Sequence, residues 1–241
     1  MMGYGYDPQL SEGSIKCPNF QTSTFVFKSA EQGKDFFNVV SGRRPLEPGE
    51  QAGLVYSRFN NPTIEIAENR IAVWDQAEDC ILTGSGMSAI STTLLTFSRP
   101  GDVVVYSEPI YGGTDTLINV ILKQMGIQSV GYLSSEGSAG LERAIKDASA
   151  LGNISVVMLE TPDNPTNNIL DIAACKALLD KLTQDQEAAP VLAVDNTMLG
   201  PLWQRPLAHG ADLCLYSLTK YVGGHSDLIG GSCSGSKALV S

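Results

Sequence analysis

No apolar run in the 241-residue sequence approaches the roughly 18 residues that a membrane-spanning helix needs. The first residues, MMGYGYDPQLSEGS, lack the basic-then-apolar pattern of a secretory signal. These two absences predict a soluble, cytoplasmic protein with no membrane partner. Cysteine is sparse: Cys17, Cys80, Cys175, Cys214 and Cys233 stand 63, 95, 39 and 19 residues apart, with no C-x-x-C pair. The two histidines, His209 and His225, have no metal-motif spacing with them. Both facts argue against a disulfide framework or a zinc site, and a reducing compartment is expected. Basic residues are also scarce, 16 Lys+Arg against 26 Asp+Glu, for a net charge of −10. That balance argues against a nucleic-acid partner. Residues 1–60 carry six basic and six acidic side chains, and residues 61–241 carry ten and twenty. The acidity therefore belongs to the main body, where solubility accounts for it. Internal repeats, coiled-coil heptads and low-complexity tracts are absent. What is present is apolar: 43% of residues are hydrophobic and only 17% charged. This supplies the core of one large α/β domain, with or without an appendage, and argues against a disordered or collagen-like chain.

Residues 1–62 differ from the rest. Apart from QTSTFVF (21–27) they are rich in Gly, Pro and Ser, and SGRRPLEPGEQAG (41–53) shows no periodicity. They read as an extended N-terminal arm, leaving residues 63–241 as the main domain. Asn61-Pro62-Thr63 then marks the entry to a helix over 63–74, with Ile64, Ala67, Ile71 and Trp74 at helical spacing. The runs DVVVY (102–106), IQSVGY (127–132), ISVVMLE (154–160), VLAVD (191–195) and DLCLYS (212–217) predict strands. Between them, helices are expected over 86–98, 112–125, 138–149 and 171–184. In the last, Ile172, Cys175, Leu178, Leu179 and Leu182 form one apolar stripe. Such alternation implies an α/β fold, a mostly parallel, doubly wound sheet with helices on both faces. In these sheets ligands lie beyond the carboxyl ends of the strands.

Three segments in such places carry candidate chemistry. Thr83-Gly84-Ser85-Gly86-Met87-Ser88 runs into a helix, and its small residues leave backbone N–H groups free to face an anion. Taken alone, the segment reads more simply as a capped turn. Asp195 ends VLAVD, where a carboxylate commonly caps a turn. Its sharper role is that of a buried acid holding a proton on a ring nitrogen. A lone lysine is ordinarily a solvated charge, but Lys220 follows Ser217 and Thr219, with no other base nearby, and precedes a Gly-Gly turn. A lysine in such a pocket can condense with an aldehyde. Jointly, an anion cradle, a ring-nitrogen acid and an aldehyde-binding lysine meet the demands of pyridoxal phosphate (PLP).

The stretch VDNTMLGPLWQRPLAHGADLCLYSLTKYVGGHSDLIGG resembles the cofactor-lysine signature of the Cys/Met-metabolism, or transsulfuration, enzymes. YSRFNNPT, TGSGMSAI, EPIYGGT and ETPDNPT match further blocks of that family in order, and the resemblance runs from about residue 15 to the end. The family includes cystathionine γ-synthase, cystathionine γ- and β-lyases, methionine γ-lyase and the O-acylhomoserine sulfhydrylases. The resemblance implies the large domain of the aspartate aminotransferase-like PLP fold, with PLP as cofactor. It further implies a small amino acid as substrate, carbon–sulfur chemistry at Cβ or Cγ, and a homodimer or homotetramer. By the same resemblance Lys220 would bind the cofactor's aldehyde and move protons at Cα, and Asp195 would keep the pyridine nitrogen protonated. Tyr111 would stack on the ring and help with proton transfer. The backbone of Gly86 and Met87, with the hydroxyls of Ser217 and Thr219, would hold the phosphate. Tyr56 and Arg58 would reach the phosphate of a neighbouring subunit, and Asn164 the phenolic oxygen or the substrate carboxylate. Glu160 reads as structural, and His209 and His225 as loop residues.

The sequence departs from the family pattern in places. Members are longer, with a smaller C-terminal domain supplying an arginine for the substrate's α-carboxylate, whereas 21 residues follow Lys220 here. The expectation is a chain without that domain, its independent turnover in question. Its alternative is a remnant that binds PLP without catalysis. Gly113 stands where methionine γ-lyases carry a cysteine, which weighs against a dedicated methionine lyase. GRRPLEPGEQAG (42–53) is longer than the pattern suggests, and no physical reason for it is evident. A sulfur-transferring desulfurase is a further alternative, but no mobile cysteine loop supports it. Lyase and synthase are not separable here, because pocket contacts set specificity.

Overall fold

The computed structural model describes residues 3–48, 50 and 53–240. Their contacts form two compact units, Met1–Arg70 and Ile71–Ser241. Within segment 42–53, Gly49, Gln51 and Ala52 lie outside the described residues.

In the first unit, the arm expected to be extended contains a helix, α1 (Ala30–Val40). Ser29 caps it: its Oγ accepts the Gln32 N–H at 3.2 Å, while Gln32 Oε1 accepts the Lys28 N–H at 2.6 Å. Phe36 and Phe37 turn back onto Phe27, with ring centroids 5.5 and 6.3 Å from it. Gly33 inside this helix obscures the local signal, since glycine is a poor helix former. Helix α2 (Pro62–Asp75) starts where expected. Asn61 Oδ1 accepts the Thr63 N–H at 2.9 Å, and a proline at the first helical position needs no donor. Its buried face is not the expected one: Ile64 and Trp74 are exposed, and Ile66, Ala72 and Asp75 are buried.

The second unit is built on seven strands: β1 (Asp79–Thr83), β2 (Val103–Glu108), β3 (Gln128–Leu133), β4 (Ile154–Glu160), β5 (Val191–Asp195), β6 (Leu213–Ser217) and β7 (Gly231–Gly235). Their order is β1-β7-β6-β5-β4-β2-β3, and among them β7 alone runs opposite to the other six. The five expected strands lie within two residues of their anticipated ends, and β1 and β7 are additions. β7 reads GSCSG, with no β-branched residue, yet every position is buried. Space explains the glycine at its start: a Cβ on Gly231 would collide with the Ser85 carbonyl.

Successive residues of the central strands serve opposite faces. Val103, Val105, Val157, Leu159, Leu192 and Val194 pack with α5 (Gly137–Ser149) and α6 (Ile172–Leu182), which follow α3 (Gly86–Phe97) and α4 (Gly112–Thr116) in the chain. Val104, Tyr106, Val156, Met158, Ala193, Leu213 and Leu215 pack with α3 and the segment after α4. Strands covered on both faces need apolar residues at every position, hence the continuous runs in the sequence. The expected helix over 112–125 instead changes type, α4 passing into π-helical Leu117–Leu122. The wider turn sets Leu117, Ile118 and Leu122 on the buried side. Among the described residues no helix is long and apolar enough to cross a membrane.

From β2 the chain moves outward to β3, then returns to place β4 on the other side of β2. A topological switch point therefore lies between β2 and β4, where the loops leaving their carboxyl ends diverge.

Candidate active site

A cavity of about 260 Å³ opens at those carboxyl ends. Eight of the ten expected site residues line it: Gly86, Met87, Tyr111, Asn164, Asp195, Ser217, Thr219 and Lys220. Tyr56 and Arg58 belong to the Met1–Arg70 unit. There the Arg58 guanidinium lies 5.6 Å from the Tyr56 ring centroid and 4.7 Å from that of Phe59.

One end of the cavity is set up for an anion. Ser85 caps α3, its Oγ accepting the Ser88 N–H at 3.0 Å. The N–H groups of Gly86 and Met87 have no partner among the described residues. Gly86 lets the helix start press on the end of β6, since a Cβ there would stand 2.6 Å from Ser217 Cβ. Lys220 Nζ donates to Ser217 Oγ at 3.2 Å, leaving the serine's own proton free. Thr219 lines the cavity with its hydroxyl already engaged, accepting from Gly230 N–H at 3.1 Å and donating to Gly230 O at 3.3 Å.

The other end is set up for a cationic N–H. Asp195 is 8% exposed, and its Oδ1 accepts from the Thr197 N–H at 3.0 Å and the Thr197 hydroxyl at 2.5 Å. Its Oδ2 has no hydrogen-bond partner among the described residues. Burial pushes the Asp195 carboxyl up, and the Thr197 bonds and the Lys220 charge oppose that shift. A protonated pyridine nitrogen would satisfy both the charge and the empty oxygen, so these residues fit PLP. Lys220 Nζ lies 6.0 Å from the Tyr111 ring centroid, within reach of the same ligand.

Sequence reasoning missed three features. Glu160, read as structural, lines the cavity and stands in register with Asp195 on the neighbouring strand. Burial foremost, and repulsion by Asp195, push its carboxyl up to about 7. Its place at the end of a buried strand was the available signal. Thr197, with no role assigned, joins two strand ends: besides its bonds to Asp195, its Oγ accepts the Ser217 N–H at 2.8 Å. Behind them, the Tyr216 hydroxyl donates to Asp75 Oδ1 at 2.5 Å and accepts from Asn196 Nδ2 at 3.0 Å. Asn196 is tied in turn to Gln204, whose Nε2 donates to Asn196 Oδ1 at 2.9 Å. This network braces the residues next to Asp195 and Ser217. His225 is a loop residue as expected, with Nδ1 2.9 Å from Gly223 O, and His209 ends a short 3-10 turn.

The sequence pattern that defines the Cys/Met metabolism PLP-dependent enzymes matches residues 2–240. An L-methionine gamma-lyase from Fusobacterium nucleatum subsp. polymorphum is 39% identical over 228 residues, which are 95% of this chain and 52% of that protein. The cystathionine gamma-lyase of Rattus norvegicus is 36% identical over 187 residues, 78% of this chain and 44% of that one. A solved structure from Campylobacter jejuni, described as an O-acetylhomoserine (thiol)-lyase and carrying a pyridoxyl-lysine monophosphate, matches with a TM-score of 0.83 at 30% identity. That match covers 99% of this chain and 53% of the other. The chain thus spans about half the length of the curated relatives it matches. Since the pattern runs through every strand end that lines the cavity, the chain belongs to the Cys/Met metabolism family of enzymes, whose cofactor is PLP.

Proposed function

We propose that this chain binds PLP and carries the catalytic lysine of an enzyme that eliminates or replaces a group at Cβ or Cγ. Its substrate is a small amino acid, a sulfur amino acid or an acylated homoserine. One observation carries the reading: one cavity is lined by Lys220, by Asp195, whose Oδ2 has no partner among the described residues, and by Gly86 and Met87, whose N–H groups have none there either. Bound there, PLP supplies an electron sink that weakens the bonds at the substrate's α-carbon. Gly86 and Met87 N–H, the Ser217 hydroxyl and the positive end of α3 hold the phosphate. Asp195 keeps a proton on the ring nitrogen. Lys220 Nζ holds the cofactor, then takes and returns the proton at Cα. Tyr111 covers the ring and assists that transfer, and Asn164 reaches the phenolic oxygen or the substrate carboxylate. We assign Tyr56 and Arg58 to the phosphate of a second subunit in a homodimer or homotetramer, since the planar fork of Arg58 suits a two-point grip. Five free thiols accord with a cytoplasmic location.

The likeness to the Fusobacterium enzyme favours a second reading, a methionine γ-lyase. Gly113 supports the broader one: a Cβ there would stand 2.7 Å from Tyr111 Cε1 and 3.0 Å from Met87 Sδ. Borohydride capture tests the assignment. Added PLP is expected to become fixed to the peptide holding Lys220, and Lys220→Ala to abolish both the labelling and the cofactor's visible band. Undiminished labelling of Lys220→Ala overturns the reading. Keto-acid release from cystathionine or methionine, against cystathionine formation from acylhomoserine and cysteine, separates the family's activities.

A further inference from the structure

Glu160 closes β4 at the cavity wall and is only 4% exposed. Its two oxygens serve two different loops. Oε2 accepts the Tyr111 N–H at 2.8 Å, in the loop after β2, and Oε1 accepts the Asn164 N–H at 3.0 Å, in the loop after β4. Its own N–H donates to Ser107 Oγ at 3.1 Å, which anchors the clasp to β2. Tyr111 is the N-cap of α4; its carbonyl accepts from Thr114 and Asp115 within the turn, and its N–H reaches out to Glu160. The two loops leave the sheet on either side of the switch point, where nothing in the local sequence ties them together.

The chemistry of the clasp is specific. A carboxylate has two acceptor oxygens and no donor, so it can take an N–H from each side, and charge-assisted bonds are the stronger class. An amide would satisfy one N–H and present a donor to the other. The Tyr111 and Asn164 N–H groups favour the charged form of this carboxyl, against burial and the repulsion of Asp195 and Asp163.

We propose that Glu160 is a positioning residue that clasps the Tyr111 and Asn164 loops into one unit, so that both side chains meet the cofactor in a set relation. This inference rests on the PLP reading above. In Glu160→Gln, amide hydrogen exchange of the chain without added cofactor is expected to quicken about tenfold or more at one or both of Tyr111 and Asn164, with Val157 and Met158 inside β4 unchanged. No change at both amides, or an increase shared by the β4 interior, overturns the clasp. With PLP added to saturation, the circular dichroism per bound cofactor is expected to change, because ring and loops lose their set relation. Unchanged dichroism overturns the link to the cofactor. Glu160→Asp, which keeps the charge but cannot span both amides, carries the same expectations if Glu160→Gln does not fold. A wild-type chain that takes up no PLP defeats the cofactor reading instead, and the amide exchange then decides the clasp by itself.

Discussion

Gly86→Ala adds one methyl group where α3 presses on β6. The new Cβ would lie 2.6 Å from Ser217 Cβ, 2.9 Å from its Cα and 3.0 Å from its Oγ. Carbon atoms rest about 3.5–4.0 Å apart, so roughly 1 Å of relief is required. Ser217 cannot give way freely. Its N–H is tied to Thr197 Oγ at 2.8 Å, and its Oγ accepts from Lys220 Nζ at 3.2 Å. Overpacking of this kind costs about 1–3 kcal/mol. The same displacement separates the Gly86 and Met87 N–H groups from the Ser217 hydroxyl, so phosphate binding bears part of that cost. With about 1.4 kcal/mol per tenfold, PLP is expected to bind some 10–100-fold more weakly in an absorbance titration. The urea midpoint should also fall, with an unchanged slope. Gly84→Ala is the control, because a Cβ at Gly84 meets nothing within 4 Å. If both variants bind PLP and unfold alike, the steric argument for the cradle is refuted.

Asp195→Asn keeps an acceptor for Thr197 but sets an N–H2 donor where Oδ2 stood, facing the protonated ring nitrogen. Losing a charged hydrogen bond is expected to weaken PLP retention by about 10–100-fold, and undiminished retention would contradict the ring-nitrogen role. Burial raises the Asp75 carboxyl above the ordinary range, so the folded chain binds that proton more tightly than the unfolded one. Its contribution to stability is full below the ordinary carboxylate range and is lost as pH rises through the raised value. Asp75→Asn removes this loss, so the stability of wild type minus Asp75→Asn should fall with rising pH in urea titrations. A difference that stays level across roughly pH 4–8 contradicts it.

Much of the chain could be read without coordinates, and the reason is local. ISVVMLE, VLAVD and DLCLYS are apolar at consecutive positions because helices cover both faces of the sheet, and such runs announce themselves. The cofactor segments also stand at strand ends in the sequence, so Lys220, Asp195 and the Gly86 turn could be placed on one edge of the sheet before their contacts were known. The sequence by itself thus determined the fold class and the sheet edge on which the candidate site lies. Tertiary structure decided the rest. β7 begins and ends on glycine because the Ser85 and Asp212 carbonyls leave no room for a Cβ at Gly231 or Gly235, a constraint the sequence does not show. The Asp75–Tyr216 bond joins residues 141 positions apart. Glu160 gained its place because strand order sets it beside Asp195 and between two loops. Alternation of residue types encodes which face of an element is buried, but not which strand lies next to which.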